Sequence, residues 1–434
     1  MKNRINVFWF RRDLRLEDNT GLYHALQSGL PVLPVFIFDA EILGKLENKT
    51  DARVEFIHNA LTEIDTELKK YNSSLLTLAG KPAEVWKKLA DEYDIIEVFA
   101  NHDYEPYAIE RDSEIRSILS SSGIKFSTYK DQVIFEKNEV VKPDGKPYSI
   151  YTPFSKTWRS KLSTGEIEEL LLKDTGCNFY GFKSNILSLD EIGFRKTGIS
   201  FPSKEVREDI IKNYENTRDI PSVEGTSRLS VHLRFGTVSP RRLVMQALKL
   251  NDVWLRELIW REFFMMILYH YPQSAVSSFR PEYDRIKWRN NEAEFESWCK
   301  GETGFPIVDA GMRELNATGF MHNRVRMITA SFLCKDLLID WRWGERYYAE
   351  KLLDYEMSSN VGNWQWAAGT GCDAAPYFRI FNPASQQEKF DPELKYIKKW
   401  VPEFGNFGYP QPIVGHKSAR DRTLKAYKEA LTKL

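Results

Sequence analysis

This chain of 434 residues has no excess of either charge: 61 lysines and arginines meet 61 aspartates and glutamates, for a formal net charge of zero. That balance argues against a protein that coats nucleic acid through bulk charge, while leaving room for one local basic face. Cysteine is scarce. Cys177, Cys299, Cys334 and Cys372 lie far apart and form no CxxC pair. That speaks against a zinc site or a redox dithiol and for free buried thiols in a reducing compartment. The seven histidines form neither H-x-E nor H-E-x-x-H, so a zinc deaminase or zinc protease is not expected. No apolar run is long enough to span a bilayer. The residues from Met1 to Arg4 lead straight into a strand pattern, without the apolar region of a signal peptide. The expected compartment is the cytoplasm. Internal repeats and low-complexity tracts are absent too.

What is present is enough for two well-buried cores. Hydrophobic residues make up 42% and twelve tryptophans are many for this length; such a mixture describes a globular chain. In the first third, short apolar runs at 5–10, 32–38, 75–78, 95–100 and 125–129 alternate with helical patterns, notably 53–71 and 82–93. That alternation predicts an α/β domain over 1–132 with a parallel, doubly wound, Rossmann-like sheet covered on both faces. The standard dinucleotide fingerprint G-x-G-x-x-G does not follow the first strand; the run from Phe10 to Arg15 stands there instead. A ligand of this domain is expected at the carboxyl ends of the strands. Over 133–201 the periodicity weakens, with a turn at Asp144-Gly145, and the stretch reads as a connector. An all-α domain is expected over 202–434, with helices at 204–217, 241–250, 252–270, 291–299, 307–315, 323–338 and 419–432.

Several clusters could carry chemistry. Trp364 and Trp366, followed by Ala367, Ala368 and Gly369, read as neither a clean helix nor a clean strand; large rings beside small residues suit a planar ligand. On the 252–270 helix, Trp254, Glu257, Trp260 and Arg261 share one face. The bland alternative there is an i,i+4 surface pair of Glu257 with Arg261 flanked by packed indoles. Asn323, Arg326 and Met327 share another helical face, with Arg324 turned away; the bland reading is a helix start capped by asparagine. The segment 354–364 could be a polar connector. Thr226, Ser227, Arg228, Leu229 and Ser230 form a small-hydroxyl turn of the kind that can cradle a pyrophosphate.

Taken together, the Trp364–Pro383 stretch, the run from Glu257 to Phe264, the run from Met321 to Met327 and the run from Trp9 to Leu16 closely resemble the photolyase/cryptochrome family, nearest to its class I cyclobutane pyrimidine dimer photolyases. The resemblance extends nearly to the end of the chain, through Tyr409 to Val414. It implies a light-driven DNA repair enzyme in which reduced, anionic FAD passes an electron to a pyrimidine dimer flipped out of UV-damaged DNA. By that resemblance Trp260 and Trp366 clamp the dimer, Glu257 and Asn323 read its polar edges, and Met327 lies beside it. Tyr214, Thr226–Ser230, Trp254, Arg261 and Glu356 contact the flavin, with the backbone at Glu356 mattering more than its side chain. Arg326 pairs with Asp354 beside the ring system, and Asn360 faces flavin N5. Trp364, Trp341 and Trp288 match a relay that feeds electrons to photoexcited oxidised flavin. Arg218 is implied at the dimer, and Arg324 and Arg379 on DNA phosphate.

The main alternative is a cryptochrome-type photoreceptor that signals without repair. Asn360 speaks against it, since plant cryptochromes carry Asp there and insect ones Cys; so do Trp366, Met327 and the lack of a tail beyond Leu434. A (6-4) photolyase would place histidines along the dimer-facing helix, where this chain offers Asn323 and Met327, with His322 beside them. A flavin or nucleotide oxidoreductase seated in the first domain is opposed by the missing glycine fingerprint. A second, antenna chromophore is left open. In folate-binding members an Asn-Glu pair reaches the pterin-like ring, and here the matching positions are Tyr107 and Ala108, leaving a deazaflavin, a second flavin or an empty site. The resemblance implies a monomer.

Overall fold

The computed structural model describes residues 3–163 and 167–432. Met1 and Lys2, residues 164–166 of the expected connector, and the two C-terminal residues lie outside them. The chain forms two compact units: Met1–Glu136, Ser160–Glu205 and Arg228–Gln246 in one, and Lys137–Arg159, Val206–Ser227 and Ala247–Leu434 in the other. The stretch 133–201 is therefore shared between both units, and 228–246 folds with the first.

The first unit is built on five parallel strands, β1 (Arg4–Phe10), β2 (Val32–Asp39), β3 (Leu76–Gly80), β4 (Asp94–Asn101) and β5 (Lys125–Tyr129), in the order β3-β2-β1-β4-β5. From Ile5 to Phe10 every residue of β1 is buried, as is all of β2, which is what a strand covered on both faces requires. The strand order reverses between β1 and β4. At their carboxyl ends Arg11 binds Asp112 at 2.6 Å, and Asn101 binds Asp13 at 2.6 Å and Asn19 at 2.8 Å. Beside β2, the Tyr107 hydroxyl donates to Asp39 at 2.6 Å.

The second unit is helical. The helices that matter for the site are α1 (Tyr151–Ser163), α2 (Asp252–His270), α3 (Pro306–Thr318), α4 (Asn323–Ser331), α5 (Trp341–Lys351), α6 (Met357–Ala368) and α7 (His416–Thr432). The central helix α2 starts at Asn251, whose side chain accepts the Trp254 N–H at 3.0 Å, and it is buried nearly all round. Two glycines let rings approach helix backbones. A Cβ on Gly344 of α5 would meet Trp364 at 2.1 Å, and one on Gly362 of α6 would meet Phe264 of α2 at 2.2 Å.

Four details differ from the sequence pattern. The Trp364–Ala368 run is the last turn of α6, continued by two good helix formers and stopped by Gly369 at φ 82°. Residues 204–217 give two short helices, Glu208–Lys212 and Tyr214–Thr217, broken at Asn213. The Asn213 side chain accepts from Asn216 at 2.9 Å, a local bond that competes with continued helix. Beyond α4 the chain does not continue as α-helix to 338 but widens into a π turn, Phe332–Asp336, where Lys335 is buried and donates to the carbonyl of Ala368 at 2.7 Å. The connector itself contains α1. As for the thiols, Cys334 and Cys372 are buried, whereas Cys177 and Cys299 are only half-buried.

Candidate flavin and lesion site

Helices α4, α5 and α6 and the turn between the last two line an open cleft. From α4 come Asn323, Arg326, Met327 and Ala330, and from α6 Ser359, Asn360, Asn363, Trp364, Trp366 and Ala367. Asn323, Arg326, Met327 and Ala330, and likewise Asn360, Asn363, Trp364 and Ala367, follow the i, i+3, i+4, i+7 spacing of one helix face, with Ser359 and Trp366 flanking the second set, which is why residues read separately from the sequence arrive together. Tyr348 of α5 and Leu352, Asp354, Tyr355 and Glu356 of the turn complete the lining. The mixture is apolar and aromatic with a few convergent polar groups, the make-up of a cofactor pocket.

The charged groups are paired. Arg326 meets Asp354 at 2.9 Å and also donates to the Met321 carbonyl at 2.7 Å. The guanidinium of Arg261, on α2, reaches Glu356 at 3.3 Å, and Ser359 donates to the same carboxylate at 3.1 Å. The Glu356 side chain is thus engaged directly. Asn360 is held from α5: its amide donates to the backbone oxygen of Glu345 at 3.1 Å and to that residue's carboxylate at 2.9 Å.

Other sequence candidates lie outside the cleft lining. Glu257 does not pair with Arg261; it bonds Arg218, while Arg261 turns to Glu356. The i,i+4 pairing fails because each carboxylate has a better-placed cation from another segment. Burial pushes the Glu257 carboxyl up, against the pull of Arg218. Trp260 carries Tyr151 flat on its ring at 3.7 Å between centroids and 5° between planes, with Phe264 at 5.4 Å. Trp254 is buried. The Arg218 guanidinium lies 5.7 Å from the Tyr214 ring. Arg324 is tied to Asp219 at 2.7 Å and sits over Phe390 at 4.4 Å. The cap of α4 is His322, not an asparagine. Arg379 is exposed on the stretch after α6. In the hydroxyl turn, Thr226 and Ser227 fold with the second unit and Arg228, Leu229 and Ser230 with the first; Arg228 has φ 53°.

Sequence reasoning missed Tyr151, Glu345, Tyr348, Tyr355, Ser359 and Asn363. For the last two a signal was there, in their helical spacing from Glu356. Nothing local marks Tyr151 or Glu345, which act across 109 and 15 residues of chain.

Residues 6–173 match the DNA photolyase family, and residues 254–429 match the FAD binding domain of DNA photolyase. The chain belongs to the DNA photolyase family. The FAD-binding match of this photolyase contains every residue lining the cleft, together with Trp254, Glu257, Trp260 and Arg261. The deoxyribodipyrimidine photo-lyase of Escherichia coli (strain K12) is 37% identical to the photolyase described here over 470 residues, 98% of each chain. An archaeal photolyase from Sulfolobus tokodaii, solved with two FAD molecules, is 37% identical, with a TM-score of 0.84 over 98% of this chain and 99% of that one. A cryptochrome from Synechocystis is 26% identical, with a TM-score of 0.85 over 98% of this chain and 99% of that one. In this photolyase Trp364 and Trp341 are buried in one core, with Trp288 partly buried against it. The ring neighbours of Trp364 are Tyr348 at 4.9 Å and Trp298 at 6.1 Å.

Proposed function

We propose that this photolyase is a deoxyribodipyrimidine photo-lyase that repairs cyclobutane pyrimidine dimers in DNA by light. The observation that carries the reading is the cleft, which sets Asn323, Met327 and Trp366 beside the Arg326–Asp354 pair and Asn360 within a domain of the FAD-binding kind. Bound and reduced, FAD supplies the light-driven one-electron chemistry that splits the cyclobutane ring. The Arg326–Asp354 and Arg261–Glu356 pairs hold fixed charge near the ring system without leaving an unpaired ion, and Tyr214, Trp254, Thr226 and Ser227 of the same unit complete the flavin contacts.

The lesion is taken from the duplex as a flipped-out dimer of adjacent pyrimidines, a cheap extrusion because a covalent dimer already disturbs pairing. Trp260 and Trp366 exclude water around it. Trp260 can do so because Tyr151 fixes its plane. Glu257, with its carboxyl raised by burial, keeps a proton more readily than an exposed glutamate and can donate it in a hydrogen bond to charge developing on the dimer. Asn323 and Met327 contact its other edge, and Arg218 holds Glu257 in place. Trp364, Trp341 and Trp288, which share one core, would be the side chains that relay electrons to a bound flavin. The indole N–H groups of Trp341 and Trp364 are buried without an acceptor among the described residues. Arg324 and Arg379 position the DNA backbone, and a second chromophore would lie at the strand carboxyl ends of the first unit, beside Tyr107.

The test is repair of UV-irradiated oligo(dT) by photoreduced protein, followed as thymine absorbance in blue light and in darkness. Light-dependent recovery is expected, with Glu257→Ala and Trp260→Ala each lowering the yield while FAD stays bound. Undiminished yield in both variants would remove the lesion-site assignment. No recovery with reduced FAD bound would favour the photoreceptor reading, which the similarity to the Synechocystis cryptochrome supports.

A further inference from the structure

The turn after the short helix Tyr214–Thr217 carries two neighbouring charges of opposite sign, each answered from a different helix. Arg218 bonds Glu257 of α2, and Asp219 takes Arg324 of α4. All four residues belong to the second unit. Arg324 donates from Nε, at 3.1 Å, and from Nη2, at 2.7 Å, to the one oxygen Oδ1 of Asp219. Its Nη1 turns to the Met327 sulfur at 3.7 Å, and its flat face lies over the Phe390 ring at 4.4 Å. The guanidinium is thereby held in one place. The pair is not evenly covered, however: the Asp219 side chain is 42% exposed and that of Arg324 16%. The carboxylate is the wetter member, and it occupies an edge with two parallel donors, the kind that suits a phosphate as well as a carboxylate.

Resting on the reading that this face meets DNA, we infer that Asp219 is a built-in competitor for phosphate at Arg324. It fills the phosphate's place on the guanidinium in the free protein and leaves it when the backbone of a duplex is bound there. The consequence is a brake on binding. Affinity for any duplex, whatever its sequence, comes from cations that give up counterions when they meet phosphates. An arginine already neutralised by a carboxylate has no counterion to give up. Arg324 therefore adds little to a passing encounter with DNA. Breaking a partly exposed pair costs little, so a duplex anchored by further contacts still gains the site.

The experiment measures binding of FAD-loaded protein to undamaged and dimer-containing duplexes, by fluorescence anisotropy in darkness over a salt series, alongside FAD content and melting temperature. Asp219→Asn is expected to tighten binding to both duplexes about fivefold at low salt, the scale of a partly exposed ion pair. The slope of log K against log salt is expected to steepen by about 1, for the one cation set free. Asp219→Glu keeps the charge and should stay within about twofold of the parent. In an Arg324→Ala background, Asp219→Asn should move binding less than about twofold, an outcome that general repulsion between Asp219 and DNA would not give. If Asp219→Asn sheds its FAD, Asp219→Ser takes its place, with the same gain expected. Parent-like or weaker binding by the FAD-loaded Asn or Ser variant, or the same gain with Arg324 already removed, overturns the inference. A parent protein that binds neither duplex overturns the DNA reading itself, and this inference with it.

Discussion

Lys335 is a buried side chain whose ionisation ties stability to pH. It lies in the π turn after α4, donating to the carbonyls of Ala368 and Tyr377 with its ammonium 3.9 Å from the centre of the Tyr427 ring. These contacts offset part of the cost of a buried charge, yet burial still draws the lysine down to about 7. In the unfolded chain its proton leaves near the ordinary lysine value of 10.5. Between those values the unfolded state binds more protons, so stability rises with pH across that window, and the gain is absent below the folded value. Lys335→Met should flatten that dependence, by up to about 1.4 kcal/mol per pH unit. Urea unfolding at several pH values between 6 and 10 measures it, and an unchanged slope would show that Lys335 does not titrate in the fold. No sequence pattern announces this residue, because a lysine between Cys334 and Asp336 reads as a surface charge until α6 and α7 close over it.

At the scale of elements, the cleft depends on how closely α2 and α5 approach α6. Gly362 allows the first contact and Gly344 the second. Gly362→Ala places a methyl group against Phe264, and overpacking of that kind costs about 1–3 kcal/mol. We expect a lower melting temperature together with weaker FAD retention, since Asn360 and Trp364 sit on the same helix; a drop in stability with FAD retention unchanged would show that α6 adjusts without moving its cleft face. The elements were unevenly legible. Strands of pure apolar character and α2, with its long periodic run and Asn251 cap, stand out from local sequence. Helices α1, α5 and α6 do not, being polar or aromatic on faces whose burial comes from other segments: α1 and α6 pack on α2, and α5 packs on α6. The run through Trp364 and Trp366 read as neither helix nor strand for the same reason: the burial of Trp364 is supplied by Gly344, Tyr348 and Trp298 from elsewhere in the chain.

For the whole molecule, zero net charge sets the terms on which it can meet DNA. Bulk attraction is lacking, so binding must rest on a few local cations, and several candidates are already committed: Arg218 to Glu257, Arg324 to Asp219, Arg326 to Asp354. Arg379 is exposed. Arg379→Ala is therefore expected to weaken binding to damaged and undamaged duplex alike and to reduce the slope of log K against log salt by about 1. Fluorescence anisotropy over a salt series checks this, and a slope equal to the parent's would mean that Arg379 touches no phosphate. The sequence by itself determined the parallel α/β beginning, the helical remainder, the family and the face-sharing of Asn323 with Arg326 and Met327, because strand burial and helical spacing are local properties of the chain. Only the tertiary structure decided which cation meets which carboxylate, that Tyr151 lies on Trp260, and that Glu345 holds Asn360. Those pairings join segments far apart in sequence, and a charged or aromatic side chain has many partners of equal chemistry until packing leaves it one.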